Sequence, residues 1–261
     1  MKTTTLFSWG YYGWGNATAK LVEAVDAIEK QRGFLPPIFV DIRIRRTVQA
    51  VGFKGSAFES LLGEDRYRWM RELGNKRIVT KTGARIQIAK PAAANDLLDL
   101  ALKASKTKRR VIFFCSCCWP KTEGKISCHR TTVANLVLAA AKRHGVSVQV
   151  VEWPGDKARR LKFELRPALF QSVSKGLRYI PLGKEAVTDY LQGPPWGSIA
   201  TFHCGSEKIH RIVGPLMWRK KGWQLQVLNF FYDPDVSLST YLEEATRSVK
   251  SCGLDPSSSL G

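Results

Sequence analysis

The chain has 261 residues, 44% of them hydrophobic and 10% aromatic, which is enough apolar surface for one large core or two smaller ones without disulfide staples. Its 41 Lys and Arg residues outnumber its 22 Asp and Glu residues and give a formal net charge of +19, most of it in residues 1–154. No apolar run approaches the ~20 residues that span a bilayer, and Met1–Gly10 lacks a secretory pattern, so we expect a cytoplasmic rather than a membrane or secreted protein.

The first predicted elements are a strand, a helix and a second strand. Thr3–Trp9 is β-compatible and runs into Gly10–Asn16, an aromatic loop rich in glycine. Next comes a helix that ends at Gly33, and its inward face is predicted from apolar residues at helical spacing: Leu21, Val22, Val25 and Ile28. Ile38–Val40 has the length of a buried strand, and it leads directly into a carboxylate and three arginines over residues 41–46.

The middle of the chain is less regular. Phe58–Leu73 is predicted to be one helix closed by Gly74, and Arg85–Ala89 a strand. Asn95–Ser105 is predicted to be a helix, because its apolar residues recur at helical spacing.

The next elements return to the alternation of strand and helix. Arg110–Cys115 is an apolar strand, and after a loop a helix starts near Cys128 and ends at Gly145, before a strand at Val146–Val151. This order predicts an α/β fold, Rossmann-like, with a mostly parallel sheet and helices on both faces. Ligands of such sheets bind at the carboxyl ends of the strands, where the unusual residues of this chain converge.

Residues 155–254 have a different character. Strands predicted at 198–203, 209–213 and 223–231, with helices at 184–191 and 238–249, indicate a smaller α+β appendage. We therefore expect a Rossmann-like domain over residues 1–154, an α+β region over 155–254, and a disordered tail over 255–261.

The predicted carboxyl edge carries residue types suited to acid/base chemistry and phosphate binding. Candidate catalytic residues are Asp41, His129 and Cys115. Candidate phosphate- or substrate-binding residues are Arg43, Arg45, Arg130, Thr131, Trp9, Tyr11 and Asn16. The alternatives are structural: an ion pair between Asp41 and Arg43, a threonine that caps a helix, and aromatic side chains that belong to the core.

Cysteines cluster at this edge as well. Cys115 and Cys118 have the two-residue gap common in zinc knuckles, and Cys128 would complete a thiolate set. A catalytic thiol beside His129 is a second interpretation, and an ordinary core cysteine is a third. We expect no cofactor, with zinc as the alternative.

Several of these motifs occur together in a known family. They are the loop with Gly10 and Asn16, Asp41-Ile42-Arg43 after the second strand, Arg71–Asn75, the strand that ends at Cys115, and Cys128-His129-Arg130. In this order they resemble the uncharacterised DUF 488 family over about residues 3–153. The resemblance implies a Rossmann-like domain and a role on modified nucleic acid. The family places a glutamate two positions after the strand-end cysteine, where this chain has Cys117.

The basic charge and the aromatic loop predict nucleic acid, DNA or RNA, as the partner. The leading hypothesis is an enzyme that hydrolyses the glycosidic bond of a modified base, with Asp41 activating water and His129 assisting proton transfer. The alternatives are a non-catalytic nucleic-acid-binding protein and a zinc-stabilised interaction module.

Overall fold

The computed structural model describes residues 3–11, 18–117, 121–122, 125–126, 128–153, 160–175, 179–183, 198–219 and 222–228. These residues belong to two compact units, the first of which ends at Trp153, and each unit is described by itself. Within the described ranges, no helix combines the length and apolar character needed to cross a membrane.

The first unit contains a five-stranded sheet whose strands are β1 (Thr4–Gly10), β2 (Leu35–Asp41), β3 (Tyr67–Trp69), β4 (Arg109–Cys115) and β7 (Val148–Glu152). Every strand is parallel to its neighbours, and the order across the sheet is β3-β2-β4-β1-β7. A two-stranded hairpin, β5 (Lys121–Thr122) and β6 (Lys125–Ile126), follows β4. The helices are α1 (Thr18–Gln31), α2 (Ala57–Leu62), α3 (Arg77–Thr80), α4 (Ala94–Lys106) and α5 (His129–Arg143). The α/β fold predicted from the sequence is confirmed.

Alternate residues of each strand point to opposite faces of this sheet. On one face Leu6, Val40 and Phe113 pack against α4 and α5. Helix α4 contributes Leu97 and Leu98, and burial of each leucine stabilises the fold by about 1.5–3 kcal/mol. The other face is aromatic, with contacts among Trp9, Phe39, Phe53, Phe58 and Phe114.

The prediction of one helix over Phe58–Leu73 is wrong. Helix α2 ends at Leu62, because Gly63 has φ = 76°, a left-handed backbone conformation that glycine adopts without strain. The chain then forms β3, which pairs with β2, and a short 3₁₀ turn over Arg71–Leu73. The strand predicted at Arg85–Ala89 is reduced to a single bridge between Ile88 and Asn75.

The second unit is a mixed sheet with one described helix. Its strands are β8 (Arg160–Glu164), β9 (Tyr179–Leu182), β10 (Ser198–Cys204), β11 (Glu207–Arg219) and β12 (Gly222–Leu228), and its helix is α6 (Pro167–Ser174). The order is β8-β10-β11-β12-β9, parallel between β8 and β10 and antiparallel elsewhere. The predicted helices at 184–191 and 238–249 and the predicted tail at 255–261 lie outside the described residues.

A tight backbone contact holds the middle of the first unit against the end of β2. A Cβ atom on Gly74 would lie 2.5 Å from the backbone nitrogen of Ile44 and 2.6 Å from its Cβ. No flexible side-chain end is present to move away, so only glycine fits at this position. The contact ties residues 70–76 to residues 42–46.

We expect Gly74→Ala to destabilise the first unit by about 1–3 kcal/mol, because the added methyl group overpacks a backbone contact. Urea unfolding followed by circular dichroism measures the change. Gly183→Ala is the matched control, since no atom lies within 4 Å of the Cβ it would add. Equal stability of the two variants would contradict the steric argument.

Candidate functional site

Asp41 ends β2 and is completely buried. Its Oδ1 accepts hydrogen bonds from Nε of Arg43 at 2.8 Å and from the backbone N–H of Arg43 at 3.0 Å. Its Oδ2 accepts from the hydroxyl of Tyr67 at 2.8 Å and also from the Arg43 guanidinium. A buried carboxylate is stable only when it is paired and hydrogen-bonded, and this one meets both conditions.

The Arg43 guanidinium is enclosed as fully as its partner. Its Nη1 donates to the hydroxyl of Tyr11 and its Nη2 to the carbonyl oxygen of Phe53, both at 3.0 Å. The Tyr11 ring stacks on Phe53 at a centroid distance of 3.9 Å. Burial raises the pKa of Tyr11 to about 12, although the nearby Arg43 charge opposes the shift. The group is therefore a neutralised polar cluster inside an aromatic core.

This geometry favours the structural alternatives for four predicted site residues: Asp41, Arg43, Trp9 and Tyr11. The hydrogen bonds of Asp41 within the described ranges all come from Arg43 and Tyr67, so both of its carboxylate oxygens accept from protein donors. Trp9 and Tyr11 are 2% and 4% exposed, so their rings pack in the core. Arg45 is exposed, whereas Asn16 lies outside the described residues.

A second polar group surrounds the carboxyl end of β4. The Sγ atoms of Cys115, Cys117 and Cys128 all lie within 4.8 Å of one another. The Sγ atoms of Cys115 and Cys128 are 3.2 Å apart. The backbone N–H groups of Cys117 and Arg130 donate to Cys115 Sγ and Cys128 Sγ at 3.3 and 3.4 Å. We call these three residues the thiol cluster; Cys118, predicted as a ligand, lies outside the described residues.

The thiols of this cluster differ in acidity. Burial raises the pKa of Cys128, but hydrogen bonds from Cys115 and Cys117 and the positive charge of Arg130 outweigh it and hold that pKa well below its ordinary value. Burial raises the pKa of Cys115 well above its ordinary value. The hydrogen bond with Cys115 lowers the pKa of Cys117, but the hydrogen bond to Cys128 and burial prevail and raise it to about 12. By these directions, Cys128 has the lowest pKa of the three thiols.

Helix α5 begins beside the thiol cluster, with Cys128 as its capping residue. His129 Nε2 is 3.1 Å from the carbonyl oxygen of Ile42, and because a carbonyl only accepts, Nε2 carries the hydrogen. His129 Nδ1 lies 4.0 Å from Cys128 Sγ. His129 thus contacts β2 through the backbone of Ile42 and the cluster through its other nitrogen.

Arg130, predicted to bind phosphate, is completely buried. It forms an ion pair with Glu152 and donates from Nη2 to the carbonyl oxygen of Cys117 at 2.9 Å. Ser8 donates to the other oxygen of Glu152. Thr131 is half-buried, and its backbone N–H donates to Cys128 O at 3.2 Å. The carboxylate of Glu152 therefore takes the place that a phosphate would need on this guanidinium.

Trp69, at the end of β3, is an exposed aromatic that the sequence did not single out. Its Nε1 donates to the backbone oxygen of Arg43 at 2.7 Å, which fixes the ring. The Arg46 guanidinium lies 4.2 Å from the ring centroid and the Arg71 guanidinium 5.7 Å from it. Arg46 is held in turn by Glu59 at 2.7 Å. Trp69 is thus an exposed, anchored aromatic ring with two guanidinium groups over it, a combination that occurs in sites where unpaired bases stack.

Sequence reasoning also missed three partners within the interior. Tyr67 and Glu152 bind the predicted residues Asp41 and Arg130, but a tyrosine or glutamate in a strand has no local signature for such a role. Cys117 was not among the predicted ligands, because Cys118 has the two-residue gap from Cys115 that is common in zinc knuckles.

No family model, no curated protein and no solved structure matches this chain. The resemblance to the DUF 488 family therefore stays a prediction.

We expect Asp41→Ala to lower the free energy of unfolding by about 3–5 kcal/mol, because it leaves the Arg43 guanidinium buried without a counter-charge. The double variant Asp41→Ala with Arg43→Met should recover part of that loss, since it removes the unpaired charge. Urea unfolding of the single and double variants measures both effects. A double variant less stable than Asp41→Ala would contradict the assignment of a mutually dependent ion pair.

Proposed function

We propose that this protein binds single-stranded nucleic acid through residues 43–90, the segment between β2 and α4, which we call the basic connection. The observation that carries the proposal is the exposed, anchored ring of Trp69 with the guanidinium groups of Arg46 and Arg71 over it. Aromatic rings stack unpaired bases, and flanking arginines bind the phosphates.

The charge of the basic connection supports a polyanionic partner. Residues 43–90 contain twelve Lys and Arg residues against four Asp and Glu residues. Those with exposed side chains are Arg45, Lys54, Arg68, Arg71, Arg77, Lys81, Arg85 and Lys90. Such a density of positive charge attracts phosphate backbones and releases their counterions on binding.

Backbone contacts hold these cations in a defined arrangement. The backbone N–H of Lys76 donates to Gln87 at 2.8 Å, and that of Lys90 donates to Glu72 at 2.7 Å. Gly74 lies directly against Ile44. The segments that carry Arg45, Arg71, Arg85 and Lys90 are therefore tied together, which lowers the entropy lost on binding.

Stacking on Trp69 requires a base that is unpaired, which is the reason for proposing single-stranded nucleic acid rather than a duplex. Arg46 contacts both the ring and Glu59, so its role is to orient the ring. Phosphate contacts are assigned instead to exposed arginines, above all Arg71, whose guanidinium lies 5.7 Å from the ring centroid.

The proposal is limited to binding. The base-removing reaction stays a prediction, because the carboxylate on which it depends, Asp41, accepts hydrogen bonds from Arg43 and Tyr67. The resemblance to DUF 488 agrees with a nucleic-acid partner but does not identify a reaction.

We expect Trp69→Ala to weaken binding of a labelled single-stranded oligonucleotide by about 1–3 kcal/mol, roughly 5- to 150-fold, with Trp69→Phe retaining most of the affinity. Arg71→Ala should reduce the magnitude of the slope of log affinity against log salt concentration by about 1, the change expected for the loss of one phosphate contact. Fluorescence anisotropy over a series of salt concentrations, with DNA and RNA of equal length, measures both.

Arg143→Ala is the matched control, because Arg143 is exposed in the last turn of α5, far along the helix from the carboxyl edge. If Arg71→Ala and Arg143→Ala reduce affinity equally, binding depends on net charge and the assignment to Arg71 is wrong. If Trp69→Ala binds as tightly as wild type, the assignment to Trp69 is wrong. Release of free base by the wild-type protein would instead support the enzymatic prediction.

A further inference from the structure

We propose that Cys115, Cys117 and Cys128 bind one zinc ion through their three sulfur atoms. This site is separate from the nucleic-acid-binding surface proposed for the basic connection, and neither proposal depends on the other. It also differs from the ligand set suggested by sequence spacing, because Cys117 takes the place of Cys118.

The positions of the sulfur atoms support a single shared ion. All three lie within 4.8 Å of one another. Two sulfur ligands of a tetrahedral zinc, each about 2.3 Å from the metal, are roughly 3.8 Å apart. The 3.2 Å between Cys115 Sγ and Cys128 Sγ must increase by about 0.6 Å to reach that value, and a separation at the 4.8 Å limit must decrease by about 1 Å. Rotation about the side-chain bonds supplies changes of this size without a change in fold.

The surroundings of the sulfur atoms match those of metal-bound thiolates. The backbone N–H of Cys117 points at Cys115 Sγ, and the backbone N–H of Arg130 points at Cys128 Sγ. Donors of this kind orient and stabilise sulfur ligands from outside the coordination shell. Cys128 also caps α5, so its sulfur lies at the positive end of the helix dipole.

The ligands come from two elements, the end of β4 and the start of α5. Cys115 is the last residue of β4, Cys117 follows it, and Cys128 precedes α5. A zinc ion bound by all three would close the intervening loop, which contains the β5–β6 hairpin. The free energy of metal binding would thereby add to the stability of the first unit.

His129 is not one of the three proposed ligands, but its ring lies next to the sulfur atom of Cys128. Its Nε2 donates to Ile42 O, which leaves Nδ1 facing Cys128 Sγ at 4.0 Å. Three sulfur ligands leave one position of a tetrahedral ion for water or another donor. Soft sulfur ligands favour zinc over magnesium or calcium.

The main competing outcome is a disulfide between Cys115 and Cys128, whose sulfur atoms are the nearest pair. A disulfide needs these two residues and an external oxidant that accepts two electrons, and it does not need Cys117. Zinc binding needs all three. Cys117→Ser therefore separates the two interpretations, and because Cys117 is half-buried, serine fits its site.

The experiment is metal analysis of the full chain, purified under reducing conditions from cells grown without added zinc and again after incubation with zinc and removal of excess. We expect about one zinc ion per wild-type chain. Cys117→Ser should lose at least roughly tenfold in zinc affinity, measured against a chromophoric chelator. Cys204→Ser is the matched control, since Cys204 is a half-buried thiol in the second unit, and it should bind as wild type does.

Cobalt substitution gives an independent test of the ligands. Wild type and Cys204→Ser should show sulfur-to-cobalt charge-transfer absorption, and Cys117→Ser should lose about a third of it, since one of three sulfur ligands is removed. Circular dichroism of each variant establishes that it is folded. The proposal is overturned if folded, reduced wild type takes up no zinc, if Cys117→Ser binds zinc as tightly as wild type, or if mass spectrometry finds a Cys115–Cys128 disulfide that persists in reductant.

Discussion

The buried ion pair of Asp41 and Arg43 is the interaction on which the carboxyl edge of the parallel sheet depends. Neither charge is stable in this aromatic interior alone, so each hydrogen bond around the pair also fixes a segment of chain. Tyr67 brings β3 to the pair, Phe53 brings the start of the basic connection, and the backbone oxygen of Arg43 holds Trp69. Burying the two charges costs free energy, and the hydrogen bonds that offset this cost fix the positions of β3, Phe53 and Trp69.

The carboxyl edge of the sheet contains three chemical environments. In the described interior, Arg43 forms an ion pair with Asp41 and Arg130 forms one with Glu152. These two arginines therefore stabilise the fold. Positive charge available to a partner lies instead on the exposed loops beyond β2. The thiol cluster is a third environment, in which sulfur atoms face backbone donors.

The alternation of strands and helices in the first unit was predictable because its buried strands and amphipathic helices have clear periodicities. The exposed position of Trp69 was not predictable, because the apolar residues of Phe58–Leu73 have helical spacing. The helix ends early because of the left-handed backbone at Gly63, and Tyr67 then pairs with Phe39 in the sheet. The position of Asp41 and Arg43 at the edge of the sheet followed from the sequence. The hydrogen bonds that complete the burial of this ion pair involve Tyr67 and Phe53, which lie further along the chain. Such partners emerge from tertiary packing rather than from local pattern.

The shortness of β3 affects how copies of this protein behave toward one another. β3 borders the sheet with only Tyr67–Trp69 and so presents few unpaired backbone groups to a second molecule. The exposed charges of Arg68 and Arg71 at this border hinder the docking of another strand, a common protection against aggregation. At this edge of the sheet, the arginines that we assign to nucleic acid therefore also oppose strand addition by a second molecule, and a polyanion that neutralises them would remove that barrier.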